Sequence, residues 1–186
     1  MHEAADQDAL TLLRQCDARG FDLAYARYAE RIFAFLWRLS GSRALAEDLF
    51  QHTFMRLAEV GPRLAFDSDL RAWLFAIARN AFYSHSRARA VVVRADAALI
   101  PAPSGVPDPD AGLVLDGLER ALATLAPSDR ELLLLLGVEG LSPLEVAVVL
   151  QLDQATVRKR VSRARARLAE ALDDQARVMP KSMVRE

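Results

Sequence analysis

The chain has one cysteine, Cys16, in 186 residues, so no internal disulfide can form, and Cys16 is expected as a small buried hydrophobe. Its three histidines, His2, His52 and His85, are too scattered to give a metal-ligand spacing, and no metal is expected. There is no Gly-rich phosphate loop, and no Ser/His/Asp or Cys/His arrangement stands at a recognisable spacing. Nothing in the residues therefore supports an enzyme, a catalytic residue or a cofactor. No stretch approaches 18 apolar residues, which excludes a membrane span. The opening decapeptide MHEAADQDAL carries acids where a signal peptide carries basic and apolar segments, so no signal is expected and the cytoplasm is the expected compartment. Glycine is scarce, with 8 residues, and β-branched runs are few, while Ala, Leu and Arg dominate. That balance predicts an all-α protein.

What is present is organised around one interruption. Residues 96–116 contain Asp96, Asp108, Asp110 and Asp116, no Lys or Arg, and Pro101, Pro103, Pro107 and Pro109. Such a run cannot be helix interior and reads as an extended acidic linker. The division it implies is a first domain over residues 1–95, a flexible linker over 96–110, a second domain over 111–175 and a tail over 176–186. Before the linker, apolar spacing and stop signals predict helices over about residues 6–18, 22–39, 43–59 and 68–90. After it, helices are expected over about 111–125 and 128–138, the first stopped by Pro127 and the second by Gly140. The run Leu132 to Leu136 is apolar all round and reads as buried core.

The most informative segment follows. Ser142-Pro143-Leu144-Glu145 has the form of a capping box with proline at the first helical position. Gln151-Leu152-Asp153 makes a tight turn, and Asp153 suits the N-cap of the next helix. From Gln154 to Leu168 that helix holds Arg158, Lys159, Arg160, Arg163, Arg165 and Arg167 and no acid. At about 100° per residue, Val157, Val161, Ala164 and Leu168 fall on one stripe. Lys159, Ser162, Arg163 and Ala166 lie opposite, with Arg158 and Arg165 on one flank and Arg160 and Arg167 on the other. Short helix, tight turn and basic helix form the helix-turn-helix pattern. Net charge is only −1, so the basic charge is local, which is the more specific signature of nucleic-acid binding.

Two blocks of sequence resemble one family. Ala46-Glu47-Asp48-Leu49-Phe50-Gln51-His52-Thr53-Phe54 is similar to the AEDL-x-Q-x-x-F helix of the extracytoplasmic-function (ECF) bacterial sigma factors. Leu70-Arg71-Ala72-Trp73-Leu74-Phe75-Ala76-Ile77-Ala78-Arg79-Asn80 resembles the same group's LRAWL-x-x-IARN helix. Beyond the linker, Arg130-Glu131, Val138 to Ser142, Glu145, Thr156-Val157 and Arg163 to Leu168 match its second domain. The resemblance implies a promoter-recognition subunit of RNA polymerase, whose partners are core RNA polymerase, promoter DNA and an anti-sigma factor, with no direct membrane insertion. By the same resemblance Asp48, Gln51 and Phe54 would face the polymerase, and Arg71, Trp73, Arg79 and Asn80 the minus-ten element. Trp73 lies on the apolar stripe, and for it a core role is the stronger expectation. Arg87 and Arg89 are either backbone contacts or solvated charges. Thr156, Arg158, Lys159, Arg160, Ser162, Arg163, Arg165 and Arg167 would face the minus-thirty-five element. The chain departs from the group at Gln151, where glycine is usual, and at Ser162, a place that varies, so no promoter sequence follows. A different kind of helix-turn-helix regulator would need a ligand or receiver domain that the first block does not suggest. A decoy that binds only an anti-sigma factor would not need the intact basic helix.

Overall fold

The computed structural model describes residues 2–65, 67–95 and 117–178, and every regular element among them is helical. The first domain comprises α1 (His2–Arg14), α2 (Ala18–Ser40), α3 (Arg43–Val60), a 3-10 turn (Gly61–Arg63) and α4 (Leu70–Ala95). The second comprises α5 (Gly117–Thr124), α6 (Pro127–Leu133) continued by a π turn (Leu134–Val138), α7 (Pro143–Leu150) and α8 (Gln154–Val178). The linker expected over 96–110 lies outside the described residues, as does the end of the tail.

Several boundaries follow from local chemistry. Gly41 ends α2 in the left-handed region (φ 69°), its N–H donating to Trp37 O at 2.8 Å. Ser42 Oγ then accepts from Leu45 N and starts α3. Others fall elsewhere. α1 ends at Arg14, not near residue 18, because Cys16 takes a left-handed backbone (φ 56°) and Asp17 caps α2 by accepting from Arg19 N at 3.0 Å. Cys16 is consequently exposed, contrary to its expected burial. Gly20 is no terminator. It lies inside α2, where an added Cβ would stand 2.5 Å from Leu13 N, so glycine here lets α1 and α2 approach backbone to backbone. The cap of α4 is Asp69, which accepts from Ala72 N at 2.9 Å. α8 continues to Val178, past the expected domain limit at residue 175.

Leu10, Tyr28, Ile32, Phe35, Leu36, Leu57, Leu74 and Phe75 fill the first core, and Leu132, Leu135, Val146, Val149, Val157 and Ala164 the second. Each large side chain so buried contributes roughly 1.5–3 kcal/mol. The Leu132 to Leu136 run is inside, as its all-round apolar character predicts. The two domains also pack on each other, with α2 and α4 meeting α5, α6 and α7, and the buried apolar residues of both belong to one contiguous cluster.

Candidate nucleic-acid interface

The α7–turn–α8 unit is built by its caps. Ser142 Oγ accepts from Glu145 N while Ser142 N donates to Glu145 Oε2 at 2.6 Å, which completes the capping box. Gln151 closes α7 in the left-handed region (φ 54°, ψ 46°), with its N–H shared between Ala147 O and Val148 O. The glutamine thus adopts the backbone that usually calls for glycine, at a cost of roughly 1 kcal/mol. Asp153 starts α8, its carboxylate accepting from Thr156 N at 2.8 Å and Thr156 Oγ1 at 2.6 Å. Those hydrogen bonds hold the Asp153 carboxyl below its ordinary value. The hydroxyl of Thr156, expected at the DNA, is therefore already engaged in the cap.

α8 turns its apolar stripe inward: Val157 and Ala164 are buried, and Val161 and Leu168 pack against the core. Arg158, Lys159, Arg160, Ser162, Arg163, Arg165 and Arg167 are exposed. Among the described residues, Arg158, Lys159, Arg163 and Arg165 have no hydrogen-bonding or ionic partner, and Arg167 pairs with Asp129 of α6. A helix with its apolar stripe docked and its cationic face free can enter a major groove, where guanidiniums read base edges and reach phosphates.

The arginines of α4 stand in a different environment. Arg79 Nε donates to Glu131 Oε2 at 3.0 Å, and its guanidinium lies 4.7 Å from the centre of the Tyr83 ring. Arg71 pairs with Glu145, which thereby serves the capping box and a cross-domain ion pair together. Two arginines of α2, unmarked in the sequence reading, extend the series. Arg31 donates to Glu139 Oε2 at 2.9 Å and to Glu139 O at 2.7 Å, and Arg38 reaches Glu119 Oε1 at 3.2 Å. Burial pushes the carboxyls of Glu131 and Glu139 up, against the opposing pull of Arg79 and Arg31. At Glu145 burial also acts upward, but the Ser142 and Arg71 contacts outweigh it and the carboxyl stays below its ordinary value. Trp73 is half-buried against the core, and Asn80 is exposed with its Oδ1 accepting from Arg79 Nη1 at 3.3 Å. Arg87 and Arg89 are exposed, the former donating to Ser84 Oγ at 3.2 Å.

A buried arginine fastens the same junction. Arg130 Nε donates to Leu122 O at 2.9 Å, Nη2 to Leu125 O at 3.1 Å and Nη1 to Leu39 O at 3.0 Å. One guanidinium so gathers carbonyls from the C-terminal ends of α5 and α2 and from the residue that follows α5, and Leu122 O accepts from Leu125 N as well. Burial pushes its pKa below the ordinary arginine value.

On α3, Asp48 and Gln51 are exposed, but Phe54 is only 4 % exposed. Phe54 lies against Phe21, Tyr25 and Phe50, with ring centroids 6.1, 5.0 and 4.9 Å away. It was expected to face the polymerase; in the structure it is buried among those rings, and Leu23, Tyr25 and Met55 are exposed apolar side chains of α2 and α3.

Residues 24–91 match the family model Sigma-70 region 2, and residues 115–168 match Sigma-70, region 4. The chain is 35% identical over 140 residues to the ECF RNA polymerase sigma factor EcfG of Rhodopseudomonas palustris, covering 75% of this chain and 77% of that protein. Among solved structures, the sigma factor RpoE of Bartonella quintana in complex with the anti-sigma factor NepR superposes with a TM-score of 0.70 at 34% identity, covering 82% of this chain and 96% of RpoE. CnrH in complex with the cytosolic domain of CnrY gives 0.69 at 25% identity, covering 91% and 98%.

Proposed function

The chain belongs to the ECF RNA polymerase sigma factors, and from that membership we propose that it carries core RNA polymerase to promoters whose two elements its two domains recognise. The observation that carries this reading is α8, whose cationic face is free while its apolar stripe is docked behind a capped tight turn. Arg163, Lys159 and Ser162 face base edges of the minus-thirty-five element, and Arg158, Arg160 and Arg165 face its phosphates. α4 offers Arg71, Arg79 and Asn80 to the minus-ten strand, where exposed bases present stacking faces and hydrogen-bonding edges. Asp48 and Gln51 on α3 contact the polymerase, with Phe54 holding the aromatic surface beside them. The chain acts in the cytoplasm by binding, not as an enzyme. The anti-sigma factor NepR bound to RpoE in the structure above supports a partner of that class here, one that releases the chain in response to a stress or envelope signal.

Transcription by core polymerase on fragmented genomic DNA, with and without the chain, tests the reading. Mapped 5′ ends should be discrete and preceded by two shared elements at fixed spacing. Starts no different from those of core polymerase alone would overturn it. Changing Asp48 and Gln51 together to Ala should weaken core binding while leaving helicity intact.

A further inference from the structure

The two flanks of α8 meet different surroundings. Arg158 and Arg165 stand on one flank with no hydrogen-bonding or ionic partner among the described residues. Arg167, on the other flank, donates to Asp129 Oδ2 in the first turn of α6. The two partners are unlike. The Asp129 side chain is 11% exposed and that of Arg167 56%, so the carboxylate is the group that needs the pair. It is anchored on the helix behind α8, and it gives Arg167 a fixed point there. The apolar stripe of Val157, Val161, Ala164 and Leu168 is only about 60° wide. A seam so narrow sets how closely α8 packs but offers little against a roll about the helix axis. Arg167 projects about 90° round from the centre of that seam, where a tether resists rolling best. A roll of about 20° moves a side-chain tip about 6 Å from the axis by roughly 2 Å, more than a hydrogen bond tolerates.

We propose that Arg167 is a positioning residue for minus-thirty-five recognition: through Asp129 it fixes the rotation of α8, and with it which side chains meet base edges. The inference rests on the reading of α8 as the helix that enters the major groove. It separates Arg167 from the cations it resembles in the sequence, because its charge answers a carboxylate of the same domain and not a phosphate. The Asp153 cap holds the start of α8, and the Asp129 pair holds the helix about four turns further on. Between those two points lie Lys159, Ser162 and Arg163, the side chains placed at the base edges. Discrimination between promoters therefore depends on two side chains that read no base themselves.

The test uses holoenzyme, a promoter located by its mapped 5′ ends, and copies of it with single base-pair changes in the minus-thirty-five element. Discrimination is the ratio of binding to the promoter over binding to the changed copies. Asp129→Asn keeps the shape of the side chain and removes its charge. Simple electrostatics predicts tighter binding to all DNA from that loss of a negative charge. Positioning predicts instead that discrimination falls about tenfold. Arg167→Ala should lose discrimination to the same extent, with the salt slope unchanged. Its side chain is more than half exposed, so the core stays packed, which circular dichroism and core-polymerase binding check. The double variant should be no worse than either single one, since both remove the same interaction. Arg167→Lys, which keeps a cation beside Asp129, should restore most of the discrimination. Arg163→Ala is run beside them as the base-reading control. Loss of discrimination from Arg163→Ala but not from Asp129→Asn would overturn the positioning role and leave α8 in the groove. No loss from any of them would overturn both. A salt slope lowered by about one in Arg167→Ala, with discrimination intact, would make Arg167 a phosphate contact and overturn the proposal. Losses that add in the double variant would overturn it too, because the two residues would then act separately.

Discussion

α4 and α8 are both long helices rich in arginine, and the structure treats them in opposite ways. On α4, Arg71 and Arg79 are half-buried and paired with Glu145 and Glu131 from the other domain. On α8, Arg158, Lys159, Arg163 and Arg165 project unpaired among the described residues. The difference arises from what each helix packs against. α8 has a single apolar stripe and a single domain to dock on, so its far face stays in water. α4 runs between two domains and has a partner on either side. An arginine's availability is thus set by the topology around it and not by its local sequence.

Substitution at the junction should have the largest effect. Arg130→Met removes the guanidinium that donates to the carbonyls of Leu122, Leu125 and Leu39. Loss of about 3 kcal/mol or more is expected, since buried hydrogen bonds to a charged group break together. Chemical denaturation checks this, and a loss below about 1 kcal/mol would mean that Arg130 does not fasten the domains.

The free face of α8 comes next. In holoenzyme, Arg163→Ala should cost about 1–3 kcal/mol of binding and relax preference at one or two positions of the minus-thirty-five element. Arg160→Ala should weaken all sequences alike and lower the salt slope by about one. Equal loss of discrimination from both would show that the face placed in the groove is wrong.

A smaller change of opposite sign is expected at the turn that aims α8. Gln151→Gly relieves a left-handed backbone (φ 54°) and should raise stability by up to about 1 kcal/mol in thermal melts. Promoter selectivity should not change, because the backbone is already in the conformation glycine prefers.

The smallest effect separates the two regions by pH. Glu145 and Asp153 have folded-state values below their ordinary 4.5 and 3.8. The stability they lend the helix-turn-helix is present above those values and is lost as pH falls below them. Glu131 and Glu139 are shifted up by burial, so their contribution to the closed junction runs the other way and declines as pH rises through the carboxylate range. Amide NMR between pH 7 and about 3.5 should show the caps held by Glu145 and Asp153 loosening on acidification, together with the Arg71–Glu145 contact, while the contacts of Glu131 and Glu139 do not weaken.

The caps of α3, α7 and α8, the inward stripe of α8, the interrupted chain and the two family blocks were all legible in the sequence, because each depends on residues within a few positions of one another. The start of α2 was not. Gly20 looks like a stop, and only the neighbouring helix shows that it is a point of close approach. Phe54 was placed at the surface by the family resemblance, but the rings of Phe21 and Tyr25 that cover it come from α2. Arg31, Arg38 and their glutamates were missed because the partners stand 108 and 81 residues apart, and nothing local in the chain signals such pairs.

Arginine modification by a dicarbonyl reagent, read residue by residue by mass spectrometry on the free chain, tests the contrast between α4 and α8 most directly. Arg158, Arg163 and Arg165 should react fast and Arg71 and Arg79 slowly, and Arg31→Glu with Arg38→Glu should bring Arg71 and Arg79 up towards the α8 rates. Equal rates on both helices in the unaltered chain would contradict it.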